Sequence, residues 1–191
     1  MNKKQILPIL AGFFLALMLG AYGLYNWLGQ SVQPDVAVPL KSMYASEKKD
    51  SWVSRIPASD FTVYDADNNP VNLFDFVGKP IVLNFWASWC GPCQREMPHF
   101  ETLHQEMGEE VRFIMVNMTG GRETLNSAKN FLKKTGYTFP VFFDLDLDAA
   151  YTYGAYSLPM TVFIDADGNV RDVFAGAIAE ATLREKIDEI L

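Results

Sequence analysis

Three regimes of hydrophobic and polar patterning follow one another along the chain. Between Lys4 and Asp35 lie 30 residues without a charge, and the apolar heart of that gap, Ile6 to Leu28, is 23 residues long. A hydrocarbon core about 30 Å thick is crossed by about 20 helical residues at 1.5 Å each. Tyr22, Tyr25 and Trp27 gather at the far end of the run, where amphipathic rings favour the headgroup zone. The pattern predicts an uncleaved signal-anchor over residues 1–28, with Lys3 and Lys4 on the cytoplasmic side and everything after Leu28 outside. A cleaved signal peptide would show a shorter apolar stretch and a small-x-small cleavage site, and neither is evident. Residues 29–57 are polar, with Pro34, Pro39 and the charged stretch Glu47, Lys48, Lys49, Asp50, and read as a linker. Within it, residues 42–54 are compatible with a short amphipathic helix or with a solvated tether.

Residues 58–191 carry the patterning of a folded domain. Phe61–Tyr64 and Val71–Leu73 read as two short strands around the turn formers Asp67, Asn68, Asn69 and Pro70. Pro80–Trp86 is a β-branched and aromatic run broken only by Asn84, the pattern of a central strand buried on both faces. A short loop then leads to a helix over Pro92–Met107, with Pro92 suited to its first turn. Val111–Val116 predicts a second buried strand. Glu123–Lys134 predicts a helix, with Leu125, Ala128, Phe131 and Leu132 at helical spacing and a stop at Gly136. Phe139–Phe143 reads as a further strand, Ala149–Tyr153 as a short helix, Met160–Ile164 and Val170–Phe174 as a hairpin around Asp167-Gly168, and Ala179–Leu191 as an amphipathic helix. Strands alternating with helices, closed by a hairpin and a helix, predict an α/β domain with a mixed central sheet covered by helices on both faces.

Composition narrows the function classes. With 49% hydrophobic, 14% aromatic and 20% charged residues, the 191-residue chain is too apolar to be disordered. Its net charge of −7, or −9 without Lys3 and Lys4, argues against a nucleic-acid-binding surface. Only two cysteines are present, Cys90 and Cys93, too few for a multi-bridge framework or a four-cysteine zinc site. With no cysteine before Cys90, lipidation of an N-terminal cysteine is excluded.

The chemistry therefore gathers in Trp89-Cys90-Gly91-Pro92-Cys93. Cys90 falls where a buried strand has ended and a helix begins, so unpaired helix N–H groups face its sulfur and favour the thiolate. Cys90 is thus the candidate nucleophile toward a disulfide, and Cys93, one helical turn on, the residue that resolves the mixed disulfide. A static structural disulfide or half of a metal site are the competing readings. His99 and His104, the only histidines, follow Cys93 by six and eleven residues and read as ordinary helix residues. Glu96, three residues after Cys93, shares its helix face and is a candidate proton relay, or else an acidic residue favouring the helix dipole, worth about 0.3–1 kcal/mol. A carboxylate there would raise the cysteine pKa values, against the helix. Trp89 belongs on the rim as a substrate contact, with core packing as its alternative, whereas Trp86 reads as core. Asn117-Met118-Thr119 matches a glycosylation sequon at a strand end and reads as a chance match.

The stretch VNLFDFVGKPIVLNFWASWCGPCQREMP resembles the signature of TlpA/ResA-like thiol-disulfide oxidoreductases, membrane-anchored members of the thioredoxin superfamily. The resemblance extends from about Phe61 to the C-terminus. It implies a thioredoxin fold with an N-terminal β-hairpin extension and a central helix-strand insertion over residues 117–153. It implies a cis-proline loop at Tyr156-Ser157-Leu158-Pro159-Met160-Thr161, so that Leu158 and Pro159, with Trp89, Gly91 and Pro92, become candidate substrate-binding residues. Backbone exposed around Leu158 and Pro159 would pair with a substrate strand across Cys90. Pro98 matches the superfamily pattern, where it removes the amide that would bond to Gln94. Asn84 stands where ordinary thioredoxins carry a buried aspartate, which favours Glu96 as the proton handler.

By the same resemblance the chain is a single-pass protein of the bacterial cell membrane, with its catalytic domain on the extracytoplasmic side. It would reduce disulfides of client proteins, such as apocytochrome c during cytochrome c maturation. Electrons would come from a transmembrane thiol donor of the CcdA/DsbD type, and the redox-active disulfide Cys90–Cys93 would need no further cofactor. A disulfide-forming oxidase or isomerase on the same fold is the alternative within enzymes. A copper-handling protein would need a histidine in the C-terminal half, and none follows His104. In a tethered binding module the cysteines would be incidental.

Overall fold

The computed structural model describes residues 16–24 and 56–191. Residues 16–24 are helical. The rest of the expected membrane segment, and residues 29–55 of the expected linker with the candidate helix at 42–54, lie outside the described residues. Among the described residues no helix is long and apolar enough to cross a membrane.

Eight strands form one mixed sheet: β1 Ile56–Pro57, β2 Thr62–Tyr64, β3 Pro70–Asn72, β4 Ile81–Trp86, β5 Arg112–Asn117, β6 Val141–Phe143, β7 Met160–Ile164 and β8 Asn169–Ala175. Their order across the sheet is β1-β8-β7-β4-β5-β6-β2-β3. β4 pairs parallel with β5 and antiparallel with β7, which places it at the centre. That position suits its sequence, because all six of its side chains, Asn84 included, are buried. Within residues 56–191 the α-helices are α1 Gly91–Met107, α2 Leu125–Thr135, α3 Asp148–Tyr153 and α4 Glu180–Asp188. Leu73–Phe76 adds a single 3-10 turn.

Alternation along the strands sorts the core into two layers. Val82 and Trp86 of β4 and Phe113 and Met115 of β5 pack with Met97, Phe100 and Leu103 of α1, Ala128 of α2, and Leu183 and Ile187 of α4. Ile81, Leu83 and Phe85 of β4 face the other way, onto Ala149 and Ala150 of α3 and Phe61, Val63 and Leu73 around the first hairpin. Helices lie on both faces as the sequence predicts, α3 on the second face beside Phe61 and Leu73, which flank the edge hairpin β2–β3. Asn68 takes a left-handed conformation (φ 66°) in that hairpin's turn, and Asp65 accepts the amides of Asp67 and Asn69 there. Gly168 (φ 80°) does the same for the turn between β7 and β8.

Two departures from the sequence reading are informative. Ile56 and Pro57, at the end of the stretch read as linker, pair with Val170 and Asn169 of β8. A two-residue edge strand carries no periodicity to detect. Glu123, read as the first residue of a helix, instead precedes the N-cap of α2, which is Thr124. The Thr124 hydroxyl accepts the Ser127 amide, so the capping chemistry starts the helix two residues late. Asn117 is wholly buried, so the sequon is closed to modification in the fold.

Candidate functional site

β4 ends at Trp86, Ala87 and Ser88 turn the chain, and Cys90 becomes the N-cap of α1. The Cys90 amide donates to the Ala87 carbonyl at 3.1 Å, closing the turn. Pro92 occupies the first helical turn, where its missing N–H costs nothing. Cys90 and Cys93 are joined by a disulfide, with Cα atoms 5.3 Å apart. The Cys93 amide donates to the Cys90 Sγ at 3.2 Å. A donor aimed at this sulfur, at the positive end of a helix 17 residues long, is placed to hold negative charge on it. The two sulfurs are not equivalent: Cys90 keeps 4% of its surface exposed and Cys93 none.

Glu96, about one helical turn after Cys93 on α1, is 1% exposed. Its Oε1 accepts Asn84 Nδ2 from β4 at 2.9 Å, and its Oε2 accepts the amide of Ile178, between β8 and α4, at 2.9 Å. Burial pushes its pKa up to about 7, against the opposing pull of those two hydrogen bonds. A carboxyl near neutrality gains and loses its proton at working pH, as a relay requires. Asn84 Nδ2 also reaches Thr161 Oγ1 at 3.1 Å, so one buried amide links Glu96 to the strand that follows Pro159. His99 donates from Nδ1 to the Ile178 carbonyl at 3.0 Å, a packing role on α1. His104 stacks edge-on against Phe113.

The loop 156–161 carries the one cis peptide bond among the described residues, Leu158–Pro159. Pro159 is buried and Leu158 half-buried. Trp89 is 46% exposed while Trp86 is fully buried, which separates the two tryptophans as the sequence reading does. Gly91 is half-buried and Pro92 exposed beside them. Sequence reasoning missed Ser88, Arg122 and Glu123. The Arg122 guanidinium lies 4.5 Å from the Trp89 ring centre, and the Glu123 carboxylate accepts the Ser88 amide and hydroxyl. For Glu123 the one signal is an acidic residue directly before a Thr-x-x-Ser capping box, and Ser88 and Arg122 carry none. Among the described residues, no group of three or more His, Cys, Asp or Glu side chains converges to hold a metal ion.

This chain is similar to proteins of known sequence and structure. The redoxin family model matches residues 54–191. Thiol-disulfide oxidoreductase ResA of Geobacillus thermodenitrificans is 35% identical over 191 residues, covering 98% of each chain. Its namesake in Bacillus subtilis is 29% identical over 192 residues, covering 100% of this chain and 96% of the relative. The exposed lipoprotein thioredoxin of Streptococcus pneumoniae superposes with a TM-score of 0.62 at 28% identity, over 69% of this chain and 99% of the other. StoA of Bacillus subtilis, at 22% identity and a TM-score of 0.60 over 68% and 96%, shares the fold.

Proposed function

The chain belongs to the redoxin family as a thiol-disulfide oxidoreductase of the ResA type, and on that premise we propose that it is an extracytoplasmic reductant of client-protein disulfides. The observation that carries this reading is the Cys93 amide aimed at the Cys90 sulfur, with Cys90 the more exposed of the pair. In the reduced protein the Cys90 thiolate attacks one sulfur of the client disulfide. A Cys90–client mixed disulfide forms, and the other client sulfur leaves as a thiolate that takes up a proton. Cys93 then loses its proton, to Glu96 in this reading, and attacks Cys90. The second client sulfur leaves reduced, and the Cys90–Cys93 disulfide is restored. Two electrons pass from the protein to the client, and a thiol donor must return them.

The client is seated by Trp89, Gly91, Pro92, Leu158 and Pro159. An extended chain laid along Leu158 and Pro159 pairs with their backbone. The Gly-Pro dipeptide between the cysteines is that of thioredoxin, whose potential is near −270 mV, and favours reduction over oxidation. By resemblance, apocytochrome c is the representative client and a CcdA/DsbD-type membrane protein the donor. Residues 1–28 anchor the chain, 29–55 tether it, and the domain that performs the chemistry begins with β1 at Ile56. The alignment with the Geobacillus ResA, spanning 98% of both chains, supports carrying the family's organisation over to the N-terminal segment.

Trapping tests the reading. Cys93→Ser leaves the mixed disulfide unresolved, so client adducts on Cys90 accumulate and dissolve with dithiothreitol. Adducts absent from Cys93→Ser, under conditions where the wild-type chain is reduced, would support an incidental pair instead. For the anchor, the full chain should sediment with membranes and a chain lacking residues 1–28 should not.

A further inference from the structure

The stretch from Asn117, the last residue of β5, to Glu123, just before the N-cap of α2, buries three polar side chains, Asn117, Thr119 and Glu123. Glu123 is 3% exposed, and among the described residues no cation lies within ion-pair distance of it. A buried carboxylate can only accept, and it is costly unless its lone pairs are met. Here they are met by the Ser88 amide and hydroxyl, the Thr124 amide, the Ser127 hydroxyl and Asn117 Nδ2. Capping of α2 does not require this group, because Thr124 and Ser127 already cap each other. The bonds to Ser88 are therefore additional.

Ser88 is held at a third atom as well, its carbonyl accepting Gln94 Nε2 from α1 at 2.6 Å. The neighbouring residues repeat the arrangement: Arg122 covers one face of the exposed Trp89 ring. The Met118 amide, bonded to the Trp86 carbonyl at 2.9 Å, fastens the same two loops further in. Two adjacent residues of one loop thus grip two adjacent residues of the other, directly before Cys90.

We propose that Arg122 and Glu123 are positioning residues for client selection, holding Ser88 and Trp89 as a rigid lip on which an extended polypeptide is seated before Cys90 attacks. The inference rests on the reductase reading above, in which the client is an extended chain, and adds what lets the protein favour such a client over a small free disulfide. A lip fixed in advance loses less freedom when the client docks, whereas a loose Trp89 must be ordered by the client itself. The thiolate owes its stability to α1 and the Cys93 amide, so the brace acts on docking and not on sulfur reactivity.

The test compares two probes on the full-length reduced protein: a short disulfide-bridged peptide containing Cys-x-x-Cys-His, and 5,5′-dithiobis(2-nitrobenzoate). In single-turnover oxidation of the reduced protein, where KM is the half-saturating peptide concentration and kcat the limiting rate, Glu123→Gln and Arg122→Ala are expected to raise KM for the peptide, by about fivefold and about threefold, with kcat and the rate with the small disulfide held within about twofold. Arg122→Lys, which keeps a cation near the ring, should recover part of the loss. Ser88→Ala, removing one bond to Glu123, should move KM in the same direction and add little to Glu123→Gln. An unchanged peptide KM in every variant overturns the proposal, as does an equal fall with both probes. If Glu123→Gln does not fold, Arg122→Ala at its exposed position decides alone. Failure of the reductase reading is separately visible: a Cys90→Ser chain that reacts as fast as wild type removes Cys90 as the attacking group, and the proposal with it.

Discussion

Burial takes the Glu96 carboxylate out of water, and its bonds to Asn84 and Ile178 return only part of that hydration, so its pKa rises from 4.5 to about 7. The folded protein therefore holds a proton on Glu96 that the unfolded chain releases. The corresponding stability is fully present below about pH 4.5 and is lost as pH rises through about 7, to a total of about 3 kcal/mol. Glu96→Gln removes this titration. Denaturant unfolding at pH 5 and pH 8 should show wild type losing stability relative to the variant on going to pH 8, and a constant difference would place the Glu96 pKa near its ordinary value. The same variant should slow release of client from the Cys90 mixed disulfide about tenfold or more, in line with loss of a general acid–base group. Attack by Cys90 should change less. Asn84 Oδ1, buried without a partner among the described residues, becomes useful when the amide turns over to accept from a neutral Glu96 or from the Gln side chain.

At the level of elements, α1 was legible because its signals are local: a Pro in the first turn, an apolar face, and a strand ending just before Cys90. Its reach onto Asn84 and Ile178 was not legible, because those partners are 12 and 82 residues away in sequence. The loop before α2 shows the converse case. The helical spacing of Leu125, Ala128, Phe131 and Leu132 extends a predicted helix back to Glu123, yet the Glu123 carboxylate bonds to Ser88, 35 residues earlier. Only the packed sheet brings the two loops together. Cap and stop residues of α2 can be tested singly. Thr124→Ala should cost about 1 kcal/mol by loss of the N-cap bond to Ser127. Gly136→Ala should cost about 1 kcal/mol or more, since Gly136 holds φ 73°. Urea midpoints at constant slope would show both, and an unchanged midpoint for Thr124→Ala would mean that Glu123 alone secures the start of α2.

At the largest scale, the domain from Ile56 to Leu191 is built on a sheet whose central strand delivers its C-terminal end to the reactive pair. β4 is buried along its full length, so the Trp86–Cys90 loop has a rigid base, and β7 starts directly after Pro159. Trp86→Ala should cost about 3–5 kcal/mol, because the ring is fully buried against Phe131 at 5.6 Å between centres, and the loss should appear in thermal unfolding of the reduced and the oxidised protein alike. The alternation of strands and helices made this architecture readable from the sequence, while the edge strand β1 was too short to leave a pattern. The central claim is that this scaffold serves reduction. It is tested most directly by the reduction potential of Cys90–Cys93 in the full chain, equilibrated against graded glutathione or dithiothreitol buffers. The expected value is near or below about −250 mV, in the range of thioredoxin. A value of about −120 to −180 mV, the range of disulfide oxidants and isomerases, would contradict it.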